Sequence, residues 1–269
     1  MSEATIAVER LRLRRAAMAA LVSLDRPAEL NPIDPVMLEG LDSALDQIAG
    51  DPTVRAVLVT GRGRAFSAGG DMKKYRRLQR DAAAFPRFVS ELHRVFGRLR
   101  DLPVPVVALV NGVTVAGGLE LMLNCDYAIA ARSARIGDGH LTFGQMGGGG
   151  VLTLLPRMIG RARAAELVLS GRLLSADEAA EWGLVSRVVD DDSLLESGLE
   201  SVRHLAGLSS LAVANAKQVM NRLWADNGSV DAGLRYELER DAYYCLTSED
   251  APEGLAAFAE KRPPRFRGR

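Results

Sequence analysis

A glutamate at the start of an apolar helix is the residue of this chain best suited to acid–base chemistry. The apolar, β-branched run 104–110 predicts a short buried strand, and an Asn-Gly pair directly after it predicts a turn. After a short connector, Gly117 and Gly118 open a second apolar run, which predicts a buried helix with Glu120 in its first turn. Apolar surroundings raise the pKa of a carboxyl group toward the range in which it exchanges protons near neutral pH.

The glycines before Glu120 indicate a second property of this helix start. The first amides of a helix have no partner within it and carry a partial positive charge, which suits an oxyanion, and glycine lets a ligand come close to them. The same pattern also fits a carboxylate that only caps its helix, because acidic residues are common in a first turn. The segment alone leaves both interpretations open.

Composition describes an ordinary globular protein with no overall charge. The 269 residues are 48% hydrophobic and 25% charged, which is enough for a substantial core. The 34 basic and 34 acidic residues cancel, so neither nucleic acid nor an anionic membrane is an expected partner. Polar residues interrupt the N-terminal apolar stretch before it could serve as a signal or a membrane segment, and we therefore expect a cytoplasmic protein.

Neither a metal site nor a redox cofactor is expected. Cys125 and Cys245 are far apart and lack metal-ligand spacing. The glycine run 147–150 lacks the strand-first spacing of a dinucleotide-binding loop, and no zinc-binding motif occurs.

Strand and helix patterns alternate through most of the chain, which predicts an α/β fold with a covered sheet. Strands are predicted as two or three short segments within 5–25 and at 54–60, 104–110, 127–131 and 185–189. A helix is predicted at 35–49, with Pro35 at its first position and Gly50 just past its end. Further helices are predicted at 84–100, 152–158 and 161–169, and from residues 117 and 175. From residue 194 onward, three helical segments are predicted up to residue 259, and their apolar content favours packing on another subunit. We therefore divide the chain into a core with the active site, 1–193, and a helical oligomerisation region, 194–269.

Four segments carry a resemblance that covers nearly the whole chain. They read RAFSAGGDMK (64–73), PVVALVNGVTVAGGLELMLNCDYAIA (105–130), GRLLSADEAAEWGLVSRVV (171–189) and EDAPEGLAAFAEKRPPRF (249–266). In this order they resemble the enoyl-CoA hydratase/isomerase family, or crotonase superfamily. The resemblance implies a crotonase-like spiral of β-β-α repeats, a C-terminal helical trimerisation region, and a homotrimer or a dimer of trimers.

The resemblance also implies an acyl-CoA thioester substrate, with CoA as part of that substrate rather than as a separate cofactor. The two backbone amides that polarise the thioester carbonyl in the family match Ala68 and Gly117. Lys261 matches a lysine that reaches CoA, often from a neighbouring subunit, and Phe258 matches a residue of the acyl pocket. The full set of implied substrate-binding residues is Arg26, Arg64, Gly69, Asp71, Gly118, Asp138, Phe258 and Lys261. For the charged members, a solvated surface remains the alternative.

One position departs from the family pattern and bears on the chemistry. Hydratases of the family hold a water between two glutamates; Glu120 matches the first, and His140 stands where the second is usual. An imidazole can hold a water and relay a proton near neutral pH, and Asp138 could orient the ring. Alternatively, His140 only lines the pocket while Glu120 works alone, as in family isomerases, or it is a loop residue unrelated to the site.

Three functions therefore compete. The first is the addition of water to an enoyl-CoA, or its elimination, in which Glu120 is the main base or acid and His140 positions or activates water. The second is another reaction of the same enolate, either double-bond isomerisation or hydrolytic cleavage of a β-keto C–C bond. The third is a scaffold or RNA-associated relative without activity, against which the acid in an apolar pocket argues. We expect an enzyme, with a lyase as the first choice.

Overall fold

The computed structural model describes residues 5–14, 16–226 and 230–269, so residues 1–4 of the predicted core lie outside it. The strands of this part are Ile6–Arg14 (β1), Ala17–Leu24 (β2), Val54–Gly61 (β3), Ala65–Ser67 (β4), Val106–Val110 (β5), Val113–Val115 (β6), Tyr127–Ala131 (β7), Arg135–Gly137 (β8), Leu174–Ser175 (β9) and Arg187–Val189 (β10). The helices are Pro35–Ala49 (α1), Met72–Leu78 (α2), Ala84–Asp101 (α3), Gly117–Leu123 (α4), Val151–Ile159 (α5), Arg161–Ser170 (α6), Ala176–Glu181 (α7), Leu194–Arg203 (α8), Ser210–Asp226 (α9), Val230–Thr247 (α10) and Asp250–Ala259 (α11).

The strands form two sheets, and the chain alternates between them. The larger sheet has the order β1-β2-β3-β5-β7-β10 and the smaller one the order β4-β6-β8-β9. Each of the pairs β3-β4, β5-β6 and β7-β8 places its first strand in the larger sheet and its second in the smaller one, and helices follow each pair. Neighbouring strands from successive pairs run parallel. The predicted α/β fold of β-β-α repeats is confirmed.

The larger sheet is buried on both faces, which explains its continuous apolar sequence. Along β5, the side chains of Val106, Ala108 and Val110 join the main core, whereas those of Val107 and Leu109 join a second core on the opposite face. The second core is completed by α8. A Cβ atom on Gly198 of this helix would lie 2.7 Å from a methyl carbon of Leu109, so the helix packs directly on the sheet.

The C-terminal region is helical, as predicted, but it contains four helices in the described residues, α8 to α11, rather than three. Leu194, Val202 and Leu205 are buried in the second core together with residues of the larger sheet. The boundary predicted at residue 193 therefore separates two segments that share one core.

The smaller sheet was not predicted. Its strands β4, β6, β8 and β9 are two or three residues long, too short for a hydrophobic period to be seen. Helix α2 was also missed, because it is only seven residues long and none of its residues is fully buried. These unpredicted elements are the ones that surround the candidate site.

Candidate active site

Glu120 lies in the first turn of α4, where the helix comes very close to β4. A Cβ atom on Gly118 would lie 2.2 Å from the carbonyl oxygen of Ser67, so only glycine fits. Just before the helix, Ala116 has a φ of 50°, which is uncommon outside glycine, and its amide donates a 2.8 Å hydrogen bond to the carbonyl oxygen of Asp138. These contacts fix the start of α4 against the end of β8, and Glu120 is only 2% exposed.

The carboxylate of Glu120 is held by backbone amides of the glycine-rich segment that leads into α5. Its Oε1 atom accepts hydrogen bonds from the amides of Gly149, at 2.6 Å, and Val151, at 3.3 Å. Burial raises the pKa of Glu120, and the nearby charge of His140 and the two amides offset this only in part. The carboxyl group is therefore fixed in orientation and has a pKa above the usual range for glutamate.

Gly149→Ala is expected to damage the site without unfolding the protein. The added methyl group would lie 2.5 Å from Oε2 of Glu120 and 2.5 Å from a methyl carbon of Leu92, so the carboxylate must shift. Since a misplacement of about 1 Å can cost about 100-fold in rate, we expect kcat/KM to fall by about that factor. Gly207→Ala is the matched control, because its methyl group would meet no atom within 4 Å. Equal kcat/KM values for the two variants would contradict this role of Gly149.

The imidazole of His140 is held by the carboxylate of Asp138. Nδ1 of the ring lies 2.7 Å from Oδ1 of Asp138, whose side chain is 1% exposed. Because an ionised carboxylate only accepts hydrogen bonds, Nδ1 carries a proton and Nε2 remains for proton transfer to a ligand. Burial alone would lower the pKa of His140, but the hydrogen bond to Asp138 and the charges of Glu120 and Asp138 outweigh it, so this pKa is raised.

The structure brings Glu120 and His140 close to the same glycine, Gly147. A Cβ atom on Gly147 would lie 3.1 Å from Oε1 of Glu120 and 3.3 Å from Nδ1 of His140. The charge of His140 lowers the pKa of Glu120, and the charge of Glu120 raises the pKa of His140. The two groups are therefore an interacting acid–base pair whose protonation steps belong to the pair.

A cavity of about 150 Å³ opens beside His140. It combines small residues before α2 and α4, aromatic rings and the Asp138–His140 pair: its lining includes Ala68, Gly70, Tyr75, Ala116, His140 and Phe143. An apolar cavity with a few polar groups at one end is the usual form of a small-molecule site.

The backbone amides near this cavity require a correction to the predicted oxyanion hole. The Ala68 amide donates a 3.0 Å hydrogen bond to the carbonyl oxygen of Leu30, so this hydrogen already has an acceptor. Gly70, two residues further on, lines the cavity. A Cβ atom on Gly69 would lie 3.4 Å from the amide nitrogen of Gly117, which places this loop against the first turn of α4. The Ala68 amide is therefore not available for an oxyanion, whereas the role of the Gly117 amide stays a prediction.

Arg26 is already engaged in a local ion-pair cluster. Its guanidinium donates a 2.6 Å hydrogen bond to Oδ2 of Asp34 and a further bond to Glu29. Asp34 is buried, caps the start of α1 and also binds Lys74. Burial would raise the pKa of Asp34, but Lys74 and Arg26 together hold it below its usual range. The structure thus gives Arg26 a structural role, and its predicted contact with CoA stays a prediction.

The remaining predicted residues before α4 form the frame of the site. Arg64 is exposed, and its side chain is accessible to a ligand. Asp71 caps α2 by accepting hydrogen bonds from the amides of Lys73 and Lys74. Gly69 has a φ of 89°, and its Cβ atom would lie only 2.8 Å from that of Ala116. Gly69, like Gly118, is required by the close approach of two segments.

Phe258 and Lys261 lie at the end of α11, and neither is among the residues that line the cavity. Phe258 is 86% exposed, and Lys261 is also exposed, with a φ of 55°. Their predicted contacts with acyl-CoA, and the predicted trimer, stay predictions. Among the described residues, no group of three or more histidine, cysteine, aspartate or glutamate side chains is arranged to hold a metal ion. No helix in that part of the chain is long and apolar enough to cross a bilayer.

Two features of the site were missed by sequence reasoning. The amides of Gly149 and Val151 bind a carboxylate about thirty residues earlier in the chain, and the Ala68 amide is bonded to the carbonyl oxygen of Leu30 although Ala68 lines the cavity together with Gly70. The glycine run 147–150 was the available signal for the first, but it was considered only as a dinucleotide loop. These glycines are needed: a side chain on Gly147 would collide with Val151, and one on Gly149 would collide with the carboxylate of Glu120.

Comparison with known proteins places this fold and site in one family. The profile of the enoyl-CoA hydratase/isomerase family matches residues 14–269. A probable enoyl-CoA hydratase of Mycobacterium tuberculosis is 35% identical over 258 residues, which cover 96% of this chain and 98% of the relative. The 1,2-epoxyphenylacetyl-CoA isomerase of Escherichia coli is 39% identical over 256 residues, which cover 92% and 94%. The crystal structure of an enoyl-CoA hydratase from Bacillus anthracis superposes with a TM-score of 0.90 at 34% identity and covers 98% of this chain and 100% of that one.

These matches span the whole fold and include the elements that carry Glu120 and His140. The chain belongs to the enoyl-CoA hydratase/isomerase family. It is an enzyme of this family, with a hydratase-like function, and an acyl-CoA substrate is consistent with that membership.

Proposed function

We propose that this enzyme adds water across the double bond of a 2-enoyl-CoA thioester, and catalyses the reverse elimination. The observation that carries the proposal is the pair formed by Glu120 and His140 next to Gly147, beside a cavity that His140 lines. Addition of water needs one group that takes a proton from water and another that delivers a proton to the α-carbon. The site supplies both groups within one buried cluster.

The thioester oxygen would be bound by the amides of Gly70 and Gly117. Attack of water on the β-carbon places negative charge on this oxygen, and donors that are already in place stabilise that charge without reorganisation. Loss of one such donor typically costs about 3 to 4 kcal/mol in other enzymes. The amide of Gly117 is one of the first-turn amides of α4 that have no partner within the helix, so it suits this role.

The environment of each group supports an assignment of the proton roles. Oε1 of Glu120 accepts two amide hydrogen bonds, which favour the carboxylate, whereas Asp138 favours the protonated form of His140. In the singly protonated pair, the Glu120 carboxylate takes the proton from water and the His140 imidazolium delivers one to the α-carbon. Asp138 keeps the ring oriented throughout.

This assignment predicts a bell-shaped dependence of kcat/KM on pH, because activity requires one proton on the pair. The alkaline limb of the profile reports the loss of that proton. Because Asp138 raises the pKa of His140, we expect this limb at a pH above the usual histidine range. Asp138→Asn removes a negative charge and a charged acceptor, which lowers the pKa of His140. We therefore expect the alkaline limb to move to lower pH in this variant. A limb that stays in place, or moves to higher pH, would contradict the assignment.

Isomerisation is the second candidate, because the relative from Escherichia coli with 39% identity is named 1,2-epoxyphenylacetyl-CoA isomerase, although its named substrate is an epoxide. If this chain isomerised a double bond, Glu120 alone would move a proton between two carbons, and His140 would line the cavity.

The experiment is the ultraviolet absorbance of crotonyl-CoA incubated with the purified enzyme. Hydration removes the conjugated double bond, so we expect the conjugated band to decay in the presence of the enzyme. A stable band, with binding of crotonyl-CoA verified by calorimetry, would refute the proposal and favour isomerisation or C–C bond hydrolysis.

A further inference from the structure

The cavity beside His140 is small for the site of an acyl-CoA enzyme. Its volume is about 150 Å³. An apolar protein cavity of about 150 Å³ binds one benzene molecule, whereas pockets for drug-sized ligands typically measure about 300 to 1,000 Å³. The space beside His140 therefore matches a short chain or a single ring.

Two segments that form the walls of this cavity are linked to each other. Helix α2 contributes Met72 and Tyr75, and the segment after His140 contributes Phe143 and Gln145. The side chain of Gln79, just after α2, donates a hydrogen bond to Oε1 of Gln145. Widening the cavity by moving α2 away would break this bond.

Tyr75 limits the cavity toward α3. Its ring makes edge-to-face contacts with Phe85, at a centroid distance of 5.3 Å, and with Phe88, at 6.0 Å. Phe88 is 7% exposed and belongs to the main core, so it cannot move aside to make room for a longer acyl chain. The Tyr75 ring thus stands between the cavity and two further aromatic rings, and it stops an acyl chain that would extend in this direction.

The residues that line the cavity also disfavour a charged acyl group. Asp138 and His140 are paired with each other, and among the described residues no lysine or arginine lines the cavity. A second carboxylate on the acyl group would lose its water without gaining a free cationic partner, because the imidazolium of His140 is already paired with Asp138, and this loss is unfavourable in an apolar site. It would also face the negative charge of Glu120 nearby.

From these observations we propose that the substrate carries a short or single-ring, uncharged acyl group, and that Tyr75 sets its maximum length. This inference rests on the proposed hydration for its reaction, but the size limit is a property of binding alone.

The first test compares kcat/KM for crotonyl-, trans-2-hexenoyl-, cinnamoyl-, trans-2-decenoyl- and 2,3-dehydroadipyl-CoA. The first three should agree within about tenfold, and decenoyl-CoA should be at least about 100-fold worse than crotonyl-CoA, in keeping with the discrimination that pocket size can supply. Hexenoyl- and dehydroadipyl-CoA have the same chain length and differ in one carboxylate, so a deficit of at least about 100-fold for the latter isolates charge. Equal values for crotonyl- and decenoyl-CoA would overturn the size limit, and equal values for the six-carbon pair would overturn the selection against charge.

The second test changes Tyr75, the residue proposed to limit the length of the acyl group. Tyr75→Leu opens space toward Phe85 and Phe88, and we expect the ratio of kcat/KM for decenoyl-CoA to that for crotonyl-CoA to rise at least about tenfold. Tyr75→Phe keeps the ring and should keep the wild-type ratio. An unchanged ratio in a folded Tyr75→Leu variant, verified by circular dichroism, would contradict the role of Tyr75.

Calorimetric binding of saturated acyl-CoAs separates this inference from the reaction. Butyryl-CoA should bind at least about tenfold more tightly than decanoyl-CoA to the wild type, and the difference should shrink in Tyr75→Leu. If no enoyl-CoA is hydrated but this preference is found, the proposed reaction fails and the size limit stands. If decanoyl-CoA binds as tightly as butyryl-CoA, the size limit fails whatever the reaction.

Discussion

Glu120→Gln is expected to lower kcat for the hydration of crotonyl-CoA by about 10²- to 10⁴-fold, the usual contribution of a general acid or base. The amide has the shape of the carboxylate and can still accept hydrogen bonds from Gly149 and Val151, but it cannot take a proton from water. Because the change affects the reacting group and leaves the cavity walls in place, the affinity for butyryl-CoA should stay within about threefold of the wild type.

Two measurements make this prediction specific. Glu39→Gln, on the exposed face of α1, is the matched control and should keep the wild-type kcat. Parallel loss of kcat and of butyryl-CoA affinity in Glu120→Gln would mean that Glu120 supports the shape of the site, and the proposed chemical role would then be wrong.

His140→Ala is expected to abolish hydration to a similar degree, with a loss of about 10²- to 10⁴-fold in kcat/KM. The variant removes the group that delivers the proton to the α-carbon, and it leaves the carboxylate of Asp138 buried without its partner. The measurement is the rate of decay of the conjugated band of crotonyl-CoA.

This variant also separates the two candidate reactions. If His140 only lines the cavity, His140→Ala should retain most of the activity, and Glu120 alone should still move a double bond in 3-enoyl-CoA. His93→Ala is the control, since His93 is an exposed histidine on α3 with no contact to the site described. Hydration that survives in His140→Ala would contradict the shared role of Glu120 and His140.

The parts of the fold that could be predicted are those with long periodic or apolar runs. The strand at 106–110, the helix from Gly117 and the strand Tyr127–Ala131 all lie where their sequences predict them. Helix α1 also begins and ends where Pro35 and Gly50 predict. Each of these signals is local, so no knowledge of the tertiary fold is needed to read it.

The parts that could not be predicted depend on contacts between distant segments. The carboxylate partner of Arg26 is Asp34 on α1, and this ion pair competes with the predicted contact to CoA. The acceptor for the Ala68 amide is Leu30, a residue in a turn with no sequence signal for that role. The resemblance to the family could not show that the Ala68 amide is already bonded within this chain, because that bond joins segments about forty residues apart.

The central claim, that Glu120 and His140 add water to an enoyl thioester, is tested most directly by isotope labelling. Crotonyl-CoA is incubated with the enzyme in ¹⁸O-labelled water, and the products are analysed by mass spectrometry. The account predicts a 3-hydroxyacyl-CoA with a single ¹⁸O on the β-carbon, which forms at least about 100-fold more slowly in Glu120→Gln and in His140→Ala than in the wild type. A product with no ¹⁸O, ¹⁸O found only in a free carboxylic acid, or labelling at close to the wild-type rate in either variant would contradict it.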